Sequence, residues 1–178
     1  MNNEPEERIL IEKGIYRLAI MENEVLNNKV VELARKASEK GSVLIIINWV
    51  QHGQNLLNMF APEDKAELIH AELHTTGRFK EVIDDFKQEK IKILIASPVF
   101  DEGMDMPNIR TLILASGGKS SIQLLQRIGR GLRKKKEDNY LDVHDFVSAS
   151  HKYILNHALA RLKEYEKQGF PVEQLDNG

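Results

Sequence analysis

The chain holds 178 residues, 42% hydrophobic and 29% charged, a mixture that folds rather than one that stays disordered. Its 25 Lys and Arg against 27 Asp and Glu leave a net charge of −2, so bulk charge points to no nucleic-acid partner. Cysteine is absent, which excludes disulfide scaffolds, thiolate zinc sites and cysteine nucleophiles.

No apolar run approaches the roughly 20 residues of a membrane span. The acidic N-terminus lacks a signal-peptide pattern, so a cytoplasmic protein is expected. In chain order, residues 8–20 read as extended. An amphipathic helix follows over 25–40, stopped by Gly41. The apolar run 43–47 reads as a strand, 52–60 as a helix before Pro62, and 71–74 as a weak strand, which makes His70 the end of a helix. Residues 78–90 form a helix with Phe79, Val82, Ile83 and Phe86 on one face. Strands are predicted at 93–96 and 112–115, a helix at 120–133 and a strand at 140–146. The last helix, 151–168, carries Leu155, Leu159, Leu162 and Tyr165 as its stripe and ends at Gly169 and Pro171. The strand runs are continuous and β-branched, as in strands buried on both faces of a parallel sheet. The fold class is α/β: three layers, with a mostly parallel central sheet flanked by helices.

The net charge averages two unlike stretches. Residues 119–136 hold seven basic and no acidic residues, whereas 63–105 hold eleven acidic against six basic. On a helix turning about 100° per residue, Gln126, Arg130 and Arg133 share one face, with Leu125, Ile128 and Leu132 opposite. Gly129 and Gly131 each cost such a helix about 1 kcal/mol relative to Ala, which suggests close approach of another group. Paired guanidiniums suit multi-oxygen anions, phosphate first.

Three other patterns carry weaker signals. Gly118-Lys119-Ser120 matches the end of a P-loop, but the pattern Gly-x-x-x-x-Gly-Lys-Ser/Thr places its first glycine at Ile113. An anion contact by Lys119 and Ser120 at a helix start remains, as does a P-loop-like nucleotidase built on Lys119. Asp101-Glu102 resembles a Walker B pair yet lies in a loop after a strand. No metal site is expected: His70 and His74 have no carboxylate to complete a ligand set. Trp49 and His52 read as packing and helix-capping residues.

Gln126 to Arg133, QRIGRGLR, resembles motif VI of superfamily 2 helicases, Gln-x-x-Gly-Arg-x-x-Arg. Ser97 to Asp105, SPVFDEGMD, resembles motif V, Ser/Thr-x-x-x-x-x-Gly-x-Asp. Residues 43–53 resemble the motif IV strand and helix start, and 75–86 the segment that follows. Within the superfamily the likeness is to XPB-like repair helicases and phage UvsW-like DNA helicases; the tail around 157–170 resembles the helix that ends UvsW-like chains.

The resemblance implies the second RecA-like domain of a two-domain motor. In that family ATP and Mg2+ sit between the domains, and the first supplies the P-loop and acidic pair. By position Arg133 is then the arginine finger and Arg130 its phosphate-binding neighbour. Gly103 and Asp105 approach the nucleotide, and Gln126 couples it to domain closure. Ser97, Thr75, Thr76 and Gly77, with Lys119 and Ser120, face the nucleic-acid backbone. The expected partners are DNA, with RNA also open, and a first RecA-like domain in the same or another chain; no membrane is involved. Lacking a P-loop and acidic box, the chain alone should neither hydrolyse ATP nor hold it stably. The expected organisation is an extended linker over 1–24, the RecA-like domain over 25–150 and a terminal helix over 151–178. The setting is a bacterial, archaeal or phage-infected cytoplasm, near the nucleoid. The alternative is a stand-alone nucleic-acid-binding or strand-annealing module resting on the basic 119–136 stretch.

Overall fold

A computed structural model describes residues 11–97, 109–118 and 140–175. Its core is a five-stranded, all-parallel sheet in the order β2-β3-β1-β4-β5. The strands are β1 (Ser42–Ile46), β2 (Ala66–Ile69), β3 (Ile93–Ala96), β4 (Ile109–Leu114) and β5 (Asp142–Asp145). The helices are α1 (Glu24–Ser38), α2 (Val50–Leu57), α3 (Arg78–Lys87) and α4 (Lys152–Lys167).

Every residue of β1 is buried, as its unbroken apolar run requires of a central strand covered on both sides. Side chains alternate across the pleat. Val43, Ile45 and Ile47 join Ile93, Ile95 and Ile113 in one core, covered by α1 and α2. Leu44 and Ile46 join Leu94, Leu112 and Leu114 in the other, covered by Val82, Ile83 and Phe86 of α3. Helix α1 starts where Asn23 Oδ1 accepts the Leu26 N–H at 3.0 Å. Glu24 in its first turn and Arg35 and Lys36 in its last match the helix dipole. Helix α2 lies tight on the sheet at Gly53, where a Cβ would come within 2.5 Å of Ile47 Cδ1 and 2.6 Å of Leu68 Cδ1.

Helix α4 belongs to both cores. Ile154 near its start packs in the first, and Tyr165 near its end in the second. Its buried face is Ile154, Ala158, Arg161 and Tyr165. The leucine stripe is therefore displaced by about one position: Leu155 and Leu162 are half-buried, and Leu159 is 45% exposed.

Other expectations are corrected. Residues 11–16 are helical rather than extended, and Arg17–Met21 continue as a π-helical turn closed by Glu22 N–H on Arg17 O at 2.8 Å. That turn buries Ala19 and Ile20. The strand expected at 71–74 is a 3-10 turn, and the true edge strand is Ala66–Ile69. His70 accordingly follows a strand rather than ending a helix. Trp49 occupies the N-cap position of α2 without any side-chain capping bond. The packing expectation holds for His52, which is 1% exposed. The helix expected over 120–133 lies outside the described residues.

Candidate functional site

In a parallel sheet every strand ends at the same edge, and ligands of open α/β folds bind outside that edge where the crossovers diverge. Here the chain leaves β1 toward β2 and leaves β4 toward β5, so the divergence falls between β1 and β4. Asn48 after β1 donates from Nδ2 to Ser116 O after β4 at 3.0 Å, which ties the two exits together. The Ser116 hydroxyl is buried and has no hydrogen-bond partner among the described residues.

Ser97 and Gly118 stand at this edge, at the exits of β3 and β4, the two strands that flank β1. Ser97 opens the stretch with motif V likeness, and Gly118 is the last described residue before the stretch with motif VI likeness. Gly103, Asp105, Lys119, Ser120, Gln126, Arg130 and Arg133 lie outside the described residues. Ser97 is 5% exposed, and its N–H reaches Ile69 O at 3.4 Å, joining the exits of β3 and β2. The Thr75-Thr76-Gly77 turn lies at the same edge, between the 3-10 turn and α3.

Both threonine hydroxyls are engaged. Thr75 Oγ1 donates to Glu72 O at 2.7 Å and Thr76 Oγ1 to Leu73 O at 3.0 Å. A hydroxyl has one proton, so neither can donate to a phosphate in this arrangement. Gly77 takes a left-handed conformation as the N-cap of α3 and contributes no side-chain cap.

A second polar cluster grips the exit of β4. Arg161 of α4 is 1% exposed. Its Nε donates to Asp145 Oδ2 at 2.7 Å and Nη2 to Asp145 Oδ1 at 2.8 Å, a two-pronged contact with the end of β5. Nη1 donates to Gly117 O at 2.8 Å and Gly118 O at 3.3 Å, and Nη2 also to Phe146 O at 3.3 Å. All five donors of the guanidinium are used. Burial alone would lower the Arg161 pKa, but Asp145 and then Tyr165 outweigh it and hold it above the ordinary value. The Tyr165 hydroxyl donates to Asp145 Oδ2 at 2.8 Å, and burial with the neighbouring carboxylate pushes its own pKa up.

The N-terminal segment reaches the same turn. Tyr16 OH lies 2.6 Å from His157 Nδ1 and 3.5 Å from Gly117 O. Burial, then Tyr153, raises its pKa to about 12. Gly117 has φ +65°, a conformation that favours glycine, and a Cβ there would sit 3.0 Å from Ile20 Cδ1.

A neutral cluster holds the other end of that segment. His52 Nε2 is 2.9 Å from Asn27 Oδ1, while Asn27 Nδ2 donates to Met21 O at 2.9 Å. Since Met21 O only accepts, the Asn27 oxygen faces the imidazole, and Nε2 carries the proton. Burial lowers the His52 pKa from 6.5 to about 4. Sequence reading missed Asn48, Asp145 and Arg161; the available signal was one arginine at helical spacing between Ala158 and Tyr165. Among the described residues no helix is long and apolar enough to cross a membrane, and no three His, Asp or Glu side chains gather as metal ligands.

Comparison with known proteins gives this edge a context. The family profile "Helicase conserved C-terminal domain" matches residues 24–135. The ATP-dependent DNA helicase uvsW of Enterobacteria phage T4 is 29% identical over 163 residues, 81% of this chain and 32% of that protein. The DNA 3'-5' translocase XPB2 of Sulfurisphaera tokodaii is 39% identical over 62 residues, 35% of this chain and 14% of that one. The chain thus spans a third or less of the length of these relatives. Among solved structures, T4 UvsW superposes with a TM-score of 0.65 and 28% identity, covering 93% of this chain and 35% of that one. The C-terminal domain of the DEAD-box protein Dbp5 aligns with a TM-score of 0.57 at 18% identity, covering 80% and 79%, which speaks for a shared fold alone. The sheet order, the profile and the phage relative agree: the chain belongs to the helicase conserved C-terminal domain family, a RecA-like domain of superfamily 2 helicases.

Proposed function

We propose that this chain is the second motor domain of an ATP-dependent superfamily 2 DNA helicase or translocase, acting with a first RecA-like domain in the same or another chain. The observation that carries this reading is the placement of Ser97 and Gly118 at the exits of the two strands flanking β1. The motif V and motif VI stretches thus both depart from one edge.

The donor set of this chain suits half a nucleotide site: Arg130 and Arg133 for phosphate oxygens, Gly103 and Asp105 beside the nucleotide, and Gln126 as the coupling residue. ATP with Mg2+ supplies the transferable phosphoryl group, and the first domain supplies its P-loop and acidic ligands. Arg133 offsets the charge that spreads over the transferring oxygens, an effect worth about 10³ to 10⁵ in rate. On the nucleic-acid side, the Thr75-Thr76-Gly77 turn faces the backbone, with both threonine hydroxyls already engaged by Glu72 O and Leu73 O. Ser97, Lys119 and Ser120 are the further candidates for contact with the nucleic-acid backbone. Such contacts position without reading sequence.

The test is DNA-stimulated ATP hydrolysis by this chain joined to a first RecA-like domain, and by the chain alone. The joined protein should turn over and the isolated chain should not. Arg133→Ala in the joined protein should lower kcat by about 10³-fold or more, with nucleotide binding largely kept. Turnover surviving within about tenfold removes the finger assignment. The basic 119–136 stretch supports a second reading, a stand-alone nucleic-acid-binding or strand-annealing module. It requires salt-sensitive DNA binding by the isolated chain and fails if none is seen near ~50 mM salt.

A further inference from the structure

The cluster around Arg161 lies outside the span that defines the family, residues 24–135, yet it closes on the last described residues before the motif VI stretch. One guanidinium would be satisfied by Asp145 and water. Here two of its five donors go instead to Gly117 O and Gly118 O. Ile20 presses on the same turn from the N-terminal side, against Gly117 in its left-handed conformation. Both flanking segments therefore converge on a single backbone exit.

A buried ion pair is weak evidence for stability, because desolvation offsets most of its attraction. A planar fork that fixes direction is better suited to setting geometry. We infer that Arg161 is a positioning residue: by bridging Asp145 to the Gly117 and Gly118 carbonyls, it sets where the segment bearing Gln126, Arg130 and Arg133 departs from β4. The inference rests on the motor-domain reading for its effect on hydrolysis, but not for its effect on the turn. The nucleotide cleft requires guanidiniums placed to within a fraction of an ångström. A fixed exit from β4 sets where that segment begins, from outside the cleft.

Arg161→Lys is the test. It keeps the charge but replaces five forked donors with one ammonium, which cannot span Asp145 and both carbonyls. Tyr165→Phe, which removes one bond to Asp145, is the milder companion should the lysine variant fold poorly. Phe86→Leu on α3, away from the turn, serves as a control for general loss of stability. Hydrogen exchange of peptides ending at Gly118 should rise about tenfold in Arg161→Lys and change little in the control at equal loss of Tm. In the assembly with the first domain, kcat should fall about tenfold or more while KM for ATP stays within about twofold.

Unchanged exchange at the turn overturns the inference. So does unchanged kcat once the turn has loosened, or a control that mimics both effects. A wild-type assembly without DNA-stimulated turnover overturns the motor reading and the catalytic half of this one; the exchange measurement still decides whether Arg161 holds the turn.

Discussion

Arg161 and His52 are equally buried, each 1% exposed, yet one keeps its charge and the other gives it up. Arg161 faces a carboxylate and three backbone carbonyls, so its positive charge is met on every side. His52 faces a neutral amide, and burial alone drives it to the uncharged form. The difference teaches that depth does not decide ionisation; the partner does. It also divides the labour. The neutral cluster joins the N-terminal turn to α1 and α2, and the charged one joins α4 to the exits of β4 and β5.

Four changes, to side chains or to pH, would break or sharpen that contrast. The largest effect is expected from Asp145→Ala, which strands the buried guanidinium; the loss should be about 3–5 kcal/mol, read by denaturant unfolding. The paired replacement Asp145→Leu with Arg161→Met should cost much less, because it removes both charges together.

Acid should act on the other cluster. The His52 pKa is about 4 in the folded chain against 6.5 when unperturbed. The unfolded chain therefore binds the proton more readily. The stability linked to His52 is complete above pH 6.5 and is lost as pH falls toward 4, by about 3 kcal/mol in all. Denaturant midpoints measured across that window, with His52→Gln as reference, check it; the same slope in both proteins assigns the acid sensitivity to other groups. The smallest effect is expected from Tyr165→Phe, about 2 kcal/mol for one hydrogen bond to a charged acceptor. A loss several times larger would mean that Tyr165, not Arg161, holds Asp145 in place.

The central sheet was legible because its strands are apolar on both faces. The predicted strand 93–96 matches β3, and 43–47 is one residue from β1. Edge elements were not. Strand β2 carries Glu67 and is half-buried at its start, so it offers no continuous apolar run to read. The N-terminal segment is short and interrupted by Gly14, and only docking of Ala19 and Ile20 reveals its helical form. On α4 the leucines pointed to one face and tertiary packing chose its neighbour, because a charged residue in a core position reads as surface until its carboxylate is found sixteen residues away. The site divides in the same way. The family resemblance picked out Ser97 and the 75–77 turn, and topology places them at one edge. Asn48 and Arg161 act through backbone carbonyls, which no residue pattern announces.

The contact between Tyr16 and His157 spans 141 positions of sequence, and this bears on the order of events during folding. Closing so long a loop costs entropy before any contact rewards it. The parallel sheet must already have brought both segments together when this contact forms. Groups that join after the rate-limiting step affect the rate of unfolding far more than the rate of folding. Tyr16→Phe should therefore steepen escape from the native state while leaving the refolding limb of the chevron in place. The two flanking segments act as a late latch on a sheet that has already assembled.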